Sequence, residues 1–258
     1  MDPIYNPYNS KPAYQLNWGL TIFWRQEPID DGLWLAPLQK ATEPDGVRVI
    51  KHRFVQERLS QFFVSTKPHV APAQMIRSVK GRLQHVVRTA APKAFQRNYA
   101  LRSIGAATRD AIEAYVAGQL THHRVGDAHF AAQLARFQRH YVEVDLSKPV
   151  FSAHGQYWYN LHLAIVNEHR WTETRVELLE RVCAMIERAA KKHGDRLSRL
   201  AVLPDHIHAT MGCSIDRSPG AVALAYLNNC AYACGMKAFF MFSYYVGTFG
   251  EYDRGAVV

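Results

Sequence analysis

The segment LPDHIHATM, Leu203–Met211, sets His206 and His208 two positions apart in a run with strand character. Side chains at i and i+2 of a strand share a face, so both imidazoles project together. Neutral imidazoles held that way are natural metal ligands. By number alone the pair is weak: with 13 His in 258 residues, chance supplies about 0.6 His-x-His pairs. Its setting is stronger, because a Pro-Asp turn feeds directly into an apolar strand. A second combination lies in TRDAIEAYVAGQ, Thr108–Gln119. Thr108 suits a helix N-cap and Asp110 the first turn. Tyr115 and Gln119 then stand one turn apart on one face. Taken alone, Tyr-x-x-x-Gln is more often a surface pair than a site.

These residues need elements to hold them. Val176, Leu179, Val182, Cys183, Ile186 and Ala190 recur at helical steps, and Gly194 follows as a stop, which predicts a helix over 172–193. A strand over 200–213, a helix over 219–234 and a strand over 239–248 come next. The first half repeats this order, with a shorter first helix broken near Pro37. Such an order predicts an α+β sandwich whose antiparallel sheet is covered on one face.

The repetition is also visible residue by residue. Tyr14, Asn17, Leu20 and Ile22 match Tyr157, Asn160, Leu163 and Ile165 at an offset of 143. Val55 and Pro72 match Val202 and Pro219 at 147, and NYALRSIG (98–105) matches SYYVGTFG (243–250) at 145. Two units follow, 12–124 and 154–258. They are preceded by an extended, poorly ordered tail (1–11) and joined by a linker (125–153) with a short helical pattern over 128–140.

Composition bounds the partners. Apolar residues make up 48% of the chain, enough for a sizeable core. Lys and Arg number 31 against 22 acidic residues, a net charge of +9 that favours a polyanionic partner such as nucleic acid. The four Cys form no zinc-like pair of CxxC motifs, which fits a reducing, cytoplasmic setting better than a disulfide-stapled fold. Cys230 and Cys234 share a helical face and read as buried thiols. The N-terminus lacks the features of a signal peptide, and no apolar run approaches a membrane span.

PDHIH, the basic helix with Lys80–Gly81, the YALRSIG strand and the YVAGQ helix together resemble the single-tyrosine HUH transposases of bacterial insertion sequences, including relatives associated with repetitive extragenic palindromes. The resemblance covers most of the chain, in two partial copies. It implies two tandem ferredoxin-like units of antiparallel sheet plus helices, packed as a pseudo-dimer. It further implies that His206 and His208, completed by Gln119, hold a divalent metal, Mg²⁺ or Mn²⁺. Tyr115 would attack single-stranded DNA, leaving a 5′-phosphotyrosine and a free 3′-hydroxyl. In such dimers the tyrosine helix often works against the other subunit's histidines.

The sequence departs from that pattern in a complementary way. At an offset of 147, His206 and His208 correspond to Leu59 and Gln61, so the first unit lacks the metal pair. At 145, Tyr115 corresponds to a position beyond Val258, so no second tyrosine helix is expected. One unit would keep the nucleophile and the other the ligands, giving one composite site in a monomeric pseudo-dimer or a homodimer of it. The sequence does not name the base that activates the phenol. Tyr252 is a rival nucleophile.

Arg77, Lys80, Arg82 and Arg88 follow Pro72 on a helical stretch and are expected to contact a DNA hairpin or single strand, where each could equally be part of a solvated face. The equivalent second-unit helix carries almost no charge. Trp18, Trp24, Trp158 and Tyr159 could stack bases, although core packing suits most of them. His122 and His123 could touch phosphate or cap the tyrosine helix. Three other readings fit less of the sequence: a domesticated hairpin-binding protein that no longer cuts, an RNA-binding or structural protein, and a metal hydrolase using the histidines with Asp205.

Overall fold

The computed structural model describes residues 3–122, 128–235 and 238–255. In chain order the elements are β1 (Lys11–Gln15), β2 (Asn17–Trp24), α1 (Leu35–Thr42), β3 (Val47–Val55), β4 (Leu59–Thr66), α2 (Pro72–Val87), β5 (Phe95–Ile104), α3 (Arg109–Ala117), α4 (Gln119–His122), α5 (Ala128–Ala135), β6 (Gln138–His140), β7 (Val150–Ser152), β8 (Gly155–Trp158), β9 (Asn160–Val166), α6 (Val176–His193), β10 (Arg196–Val202), β11 (His206–Gly212), α7 (Pro219–Ala233) and β12 (Ser243–Phe249). The chain is α+β. Its described strands form two six-stranded sheets, ordered β3-β4-β2-β5-β8-β7 and β1-β12-β9-β11-β10-β6.

Each sheet grows from the same β-α-β-β-α-β run. In the first, β2, β3, β4 and β5 stand in the order β3-β4-β2-β5; in the second, β9, β10, β11 and β12 stand in the order β10-β11-β9-β12. Both carry a register shift at the same place, between Val49 and Lys51 and between Leu197 and Arg199. Alternation drives the assembly. Trp18, Leu20, Ile22 and Trp24 all point into the helix-covered core of the first sheet, and Leu161, Leu163 and Ile165 do the same in the second. The core also takes Trp34 and Tyr159, so packing is the role of most of the aromatics.

The two sheets trade their first strands. The run that enters β2 begins as β1, which pairs in parallel with β12 of the other sheet. The run that enters β9 begins as β8, which pairs in parallel with β5. At each crossover one buried residue, Leu16 or Tyr159, accepts a backbone hydrogen bond, from Thr66 and Cys213 respectively. Two glycines allow the close approach. A Cβ at Gly250 would sit 2.1 Å from the Ser103 carbonyl oxygen, and one at Gly105 would sit 2.9 Å from that of Thr248.

Several boundaries differ from expectation. The anticipated strand over 200–213 is a hairpin, since Pro204 and Asp205 turn the chain between β10 and β11. The long helix starts at Val176 rather than near Thr172. Pro37 does not break α1, because it lies in the first turn, where its missing N–H costs nothing. The N-terminal residues expected to be loose are anchored. Tyr5 is buried and donates its hydroxyl to the Phe240 carbonyl, while its backbone N–H donates to Asn228 Oδ1 and its carbonyl accepts from Asn228 Nδ2. The joining segment contributes an edge strand, β6, to the second sheet and β7 to the first.

Candidate functional site

Strand β11 is buried throughout, and His206 and His208 sit on the face turned away from α6 and α7. Across the sheet His206 pairs with Val166 and His208 with Ala164. The same register in the first sheet pairs Leu59 with Phe23 and Gln61 with Thr21. Leu59 and Gln61 therefore occupy the positions of His206 and His208 in the other half.

Helix α3 comes from the first half and lies on the second sheet. Thr108 caps it, its side chain accepting from the Ala111 N–H. Val116 is its one buried residue, and it packs with Ala201 and Leu203 of the histidine hairpin. Glu113 accepts from the Ser198 hydroxyl at 2.6 Å and pairs with Arg199 at 3.7 Å. This docking brings the half-exposed Tyr115 ring to 5.4 Å from His208 and 6.0 Å from a third imidazole, His162.

Gln119 is buried one turn further on. Its amide nitrogen donates to the Tyr115 carbonyl at 3.0 Å, which turns its oxygen toward His206 Nε2 at 3.4 Å. On the far side of the ring, His206 Nδ1 meets Asp205 Oδ1 at 2.6 Å, and Asp205 also pairs with Arg170 at 3.0 Å. Burial alone would raise the Asp205 carboxyl, but the bonds from His206 and Arg170 outweigh it and hold its pKa below the ordinary value. An anionic Asp205 favours a proton on His206 Nδ1.

That geometry tests whether a metal suits the donors. Nε2 of His206 and Oε1 of Gln119 stand 3.4 Å apart, within hydrogen-bonding reach of each other, and both are atoms that can ligate a divalent ion when the ring is neutral. His208, its ring 5.0 Å from that of His206, is held by a hydrogen bond between its Nδ1 and His162 Nε2 at 3.0 Å. Asp205 and His162 thus orient the two candidate ligands. The fit depends on the Gln119 amide, because no cluster of three His, Cys, Asp or Glu side chains among the described residues is arranged to hold an ion.

Sequence reasoning missed His162. Burial pushes its pKa down to about 4, so the ring is neutral near neutral pH. The signal was present: Leu161, Leu163 and Ile165 alternate inward, so His162 must face the other way, toward the strand carrying the pair. The first-half counterpart at an offset of 143 is Gly19.

The basic residues of α2 lie elsewhere and are not a uniform row of available cations. Lys80 Nζ donates to the carbonyls of Gln96, Arg97 and Asn98 at 2.9, 2.9 and 3.3 Å, so its charge is committed to the start of β5 rather than offered to a phosphate. Arg82 is paired with Asp45 at 3.1 Å. Arg77 and Arg82 line a groove of about 660 Å³ with His69 and His85, and Arg88 approaches His85 at 3.5 Å. Tyr252 is half exposed beyond β12. His123 and the side chain of His122 lie outside the described residues. No described helix is long and apolar enough to cross a membrane.

No protein-family model matches this sequence, and neither does any curated protein. Among solved structures, a transposase candidate from Deinococcus radiodurans R1 aligns with 42% of this chain and 92% of its own at 18% identity and a TM-score of 0.32. A protein of unknown function from Galdieria sulphuraria aligns over 90% of this chain and 96% of its own at 7% identity and a TM-score of 0.23. The regulatory subunit of aspartate kinase from Thermus thermophilus aligns over 84% and 91% at 11% identity and a TM-score of 0.21.

Proposed function

We propose that this chain is a fused pseudo-dimer of two ferredoxin-like units with one composite active site, and that it nicks and rejoins single-stranded DNA in the manner of an HUH-type tyrosine transposase. The observation that carries this reading is the meeting of Tyr115 and Gln119, from one half, with His206 and His208, from the other.

His206, His208 and Gln119 would hold Mg²⁺ or Mn²⁺. What the bound ion supplies is positive charge against the scissile phosphate as negative charge develops there. Tyr115 is the nucleophile. Its oxygen bonds to phosphorus and the bond from phosphorus to the 3′ oxygen breaks, giving a 5′-phosphotyrosine. The phenol gives up its proton, and the departing 3′ oxygen takes one up. The new ester conserves the energy of the phosphodiester, so another 3′-hydroxyl can reverse the step and join strands. A half-exposed Tyr115 beside buried imidazoles suits this division of labour, since the nucleophile must reach a strand that arrives from solvent.

The test is a covalent adduct. Wild-type protein with Mn²⁺ and a labelled strand that carries the recognition site should yield a denaturation-resistant complex, and Tyr115→Phe should yield none while binding the strand equally. An adduct persisting in Tyr115→Phe removes that residue from the mechanism. A chain that binds a DNA hairpin yet never cuts would instead fit the reading of a domesticated binder, which the groove lined by Arg77, Arg82, His69 and His85 favours.

A further inference from the structure

The sheet face that carries the candidate ligands also carries a large side chain that the proposed chemistry does not use. Tyr245 of β12 pairs with Ala164 of β9, and Ala164 pairs with His208 of β11. Paired residues share a face, so Tyr245 stands two strand spacings, roughly 10 Å, from His208. Two positions along β12, Gly247 pairs with His162. A Cβ built at Gly247 would stand 2.9 Å from Tyr245 Cζ and 3.1 Å from its Cε1, with the hydroxyl oxygen nearer still. The ring therefore fills the place of a side chain at 247 and lies down along its own strand, an approach that glycine permits.

His162 meets that ring at 5.6 Å between centroids, with the planes at 66°, so the imidazole stands up beside a ring that lies down. His162 is also the imidazole that Tyr115 approaches to 6.0 Å and that holds His208 through Nδ1. One buried ring thus touches both phenols, the nucleophile on α3 and Tyr245 on the sheet. The neighbours of Tyr245 across the sheet are alanines, Ala164 on β9 and Ala13 on β1. Ala13 is exposed, and Ala164 and Tyr245 are partly exposed, so neither methyl group walls off the outer face of the ring.

The other half lacks every part of this arrangement. At offsets of 143 and 145, His162, Tyr245 and Gly247 correspond to Gly19, Ala100 and Arg102. Ring, glycine and imidazole occur together in the half that keeps His206 and His208. A ring needed only to pack the sheet would serve both halves equally. An aromatic face lying flat beside a phosphate-handling site is what an unpaired base stacks on, whatever the sequence of the strand. We propose that Tyr245 is a positioning residue, a platform on which a base next to the scissile phosphate stacks, so that the strand is held against Tyr115. That the strand is DNA and is cut at Tyr115 rests on the proposed activity; the stacking of a base on Tyr245 does not.

The experiment uses the full chain with no added metal, so that cleavage plays no part. Fluorescence anisotropy follows a labelled 30-mer DNA single strand. Tyr245→Leu should weaken binding about tenfold near 100 mM salt, the scale of one base stacked on an aromatic ring. The slope of log K against log salt should stay as it is, because no charge is removed. Tyr245→Phe keeps the ring face and should bind within about twofold of the wild type. A strand of the same length built from abasic sugars should bind the wild type and Tyr245→Leu equally. Gly247→Ala lifts the ring without removing it; it should weaken binding of the base-bearing strand in the wild-type background and add nothing to Tyr245→Leu. Unchanged affinity in Tyr245→Leu, an equal loss on the abasic strand, or a Tyr245→Phe as weak as Tyr245→Leu would overturn the proposal. Should circular dichroism show Tyr245→Leu unfolded, unchanged binding by Gly247→Ala overturns it instead. Tighter binding of an RNA or duplex probe than of the DNA strand, lost in Tyr245→Leu, would overturn the choice of ligand. If Tyr115→Phe still forms an adduct with metal present, the catalytic reading fails and the stacking result stands unaffected.

Discussion

Asn17 donates its backbone N–H to the hydroxyl of Thr248 at 2.9 Å, a bond that crosses from one half of the chain to the other over 231 positions. The same Thr248 hydroxyl donates onward to the Ile104 carbonyl at 2.7 Å. The mirror image exists at the equivalent residues: Asn160 donates to Ser103 Oγ at 3.1 Å, and Ser103 donates to the Phe249 carbonyl at 2.6 Å. The duplication is therefore built into the seam. The seam also sets the site, because α3 leaves β5 directly beside it, with Arg109 donating to the Gly250 carbonyl at 2.6 Å.

Replacing Thr248 with Val keeps the shape and removes both bonds, leaving a buried N–H and a buried carbonyl without that partner. The expected loss is about 2–6 kcal/mol, from ~1–3 kcal/mol for each of the two unsatisfied groups. Urea denaturation measures it. Ser103→Ala should cost a similar amount, and a large difference between the two would mean that the seam is not energetically symmetric.

Lys80 was expected to meet DNA, and its three carbonyl partners assign it a different job. Lys80→Ala should lower stability by about 1–3 kcal/mol, the range for a charge-assisted hydrogen-bonding group. DNA affinity and its salt slope should stay as they are. A tenfold loss of affinity with an unchanged denaturation midpoint would return Lys80 to the binding surface.

His52 links the first half's core to pH. Its side chain is buried, with Nδ1 at 2.7 Å from Asp31 and Nε2 at 2.9 Å from the Ser60 hydroxyl. Burial lowers its pKa from 6.5 more than the Asp31 carboxylate raises it. The unfolded chain consequently takes up the proton first as pH falls. The contribution of His52 is complete above the unfolded pKa and drains away beneath it, so stability should fall between about pH 7 and about pH 5. His52→Gln should show a shallower fall over that window, even if it starts from a lower value. Parallel curves for the two proteins would assign the pH dependence to other groups.

The residues that alternate or recur were legible in the sequence, and those that depend on strand exchange were not. Tyr14 and Tyr157 marked the repeat, yet nothing local shows that the chain changes sheets at Leu16 and Tyr159, because both sides of each break look like one continuous strand. His206 and His208 stood out through their setting, a Pro-Asp turn feeding directly into an apolar strand, and not through their spacing alone. His162 was passed over as one polar residue in an apolar strand, and its meaning appears only when β9 lies beside β11. Lys80 read as a cation for DNA because helical spacing says which residues share a face but not which backbone carbonyls lie opposite.

Asp205 offers the sharpest test of the metal reading, since it touches the candidate site only through His206. Its carboxylate accepts from Nδ1, and Arg170 holds it from the other side. Asp205→Asn keeps the volume and an acceptor oxygen but removes the charge that fixes the tautomer and raises the basicity of Nε2. Mn²⁺ affinity, measured by titration calorimetry on the full chain, should fall about 10–100-fold, the usual cost of losing a partner behind a histidine ligand. Binding of a single strand without metal should change less than twofold, because Asp205 does not line the α2 groove. Unchanged Mn²⁺ affinity would mean that His206 is not a ligand, and the opposition of Nε2 and Oε1 at 3.4 Å would then reflect a protonated imidazole donating to Gln119.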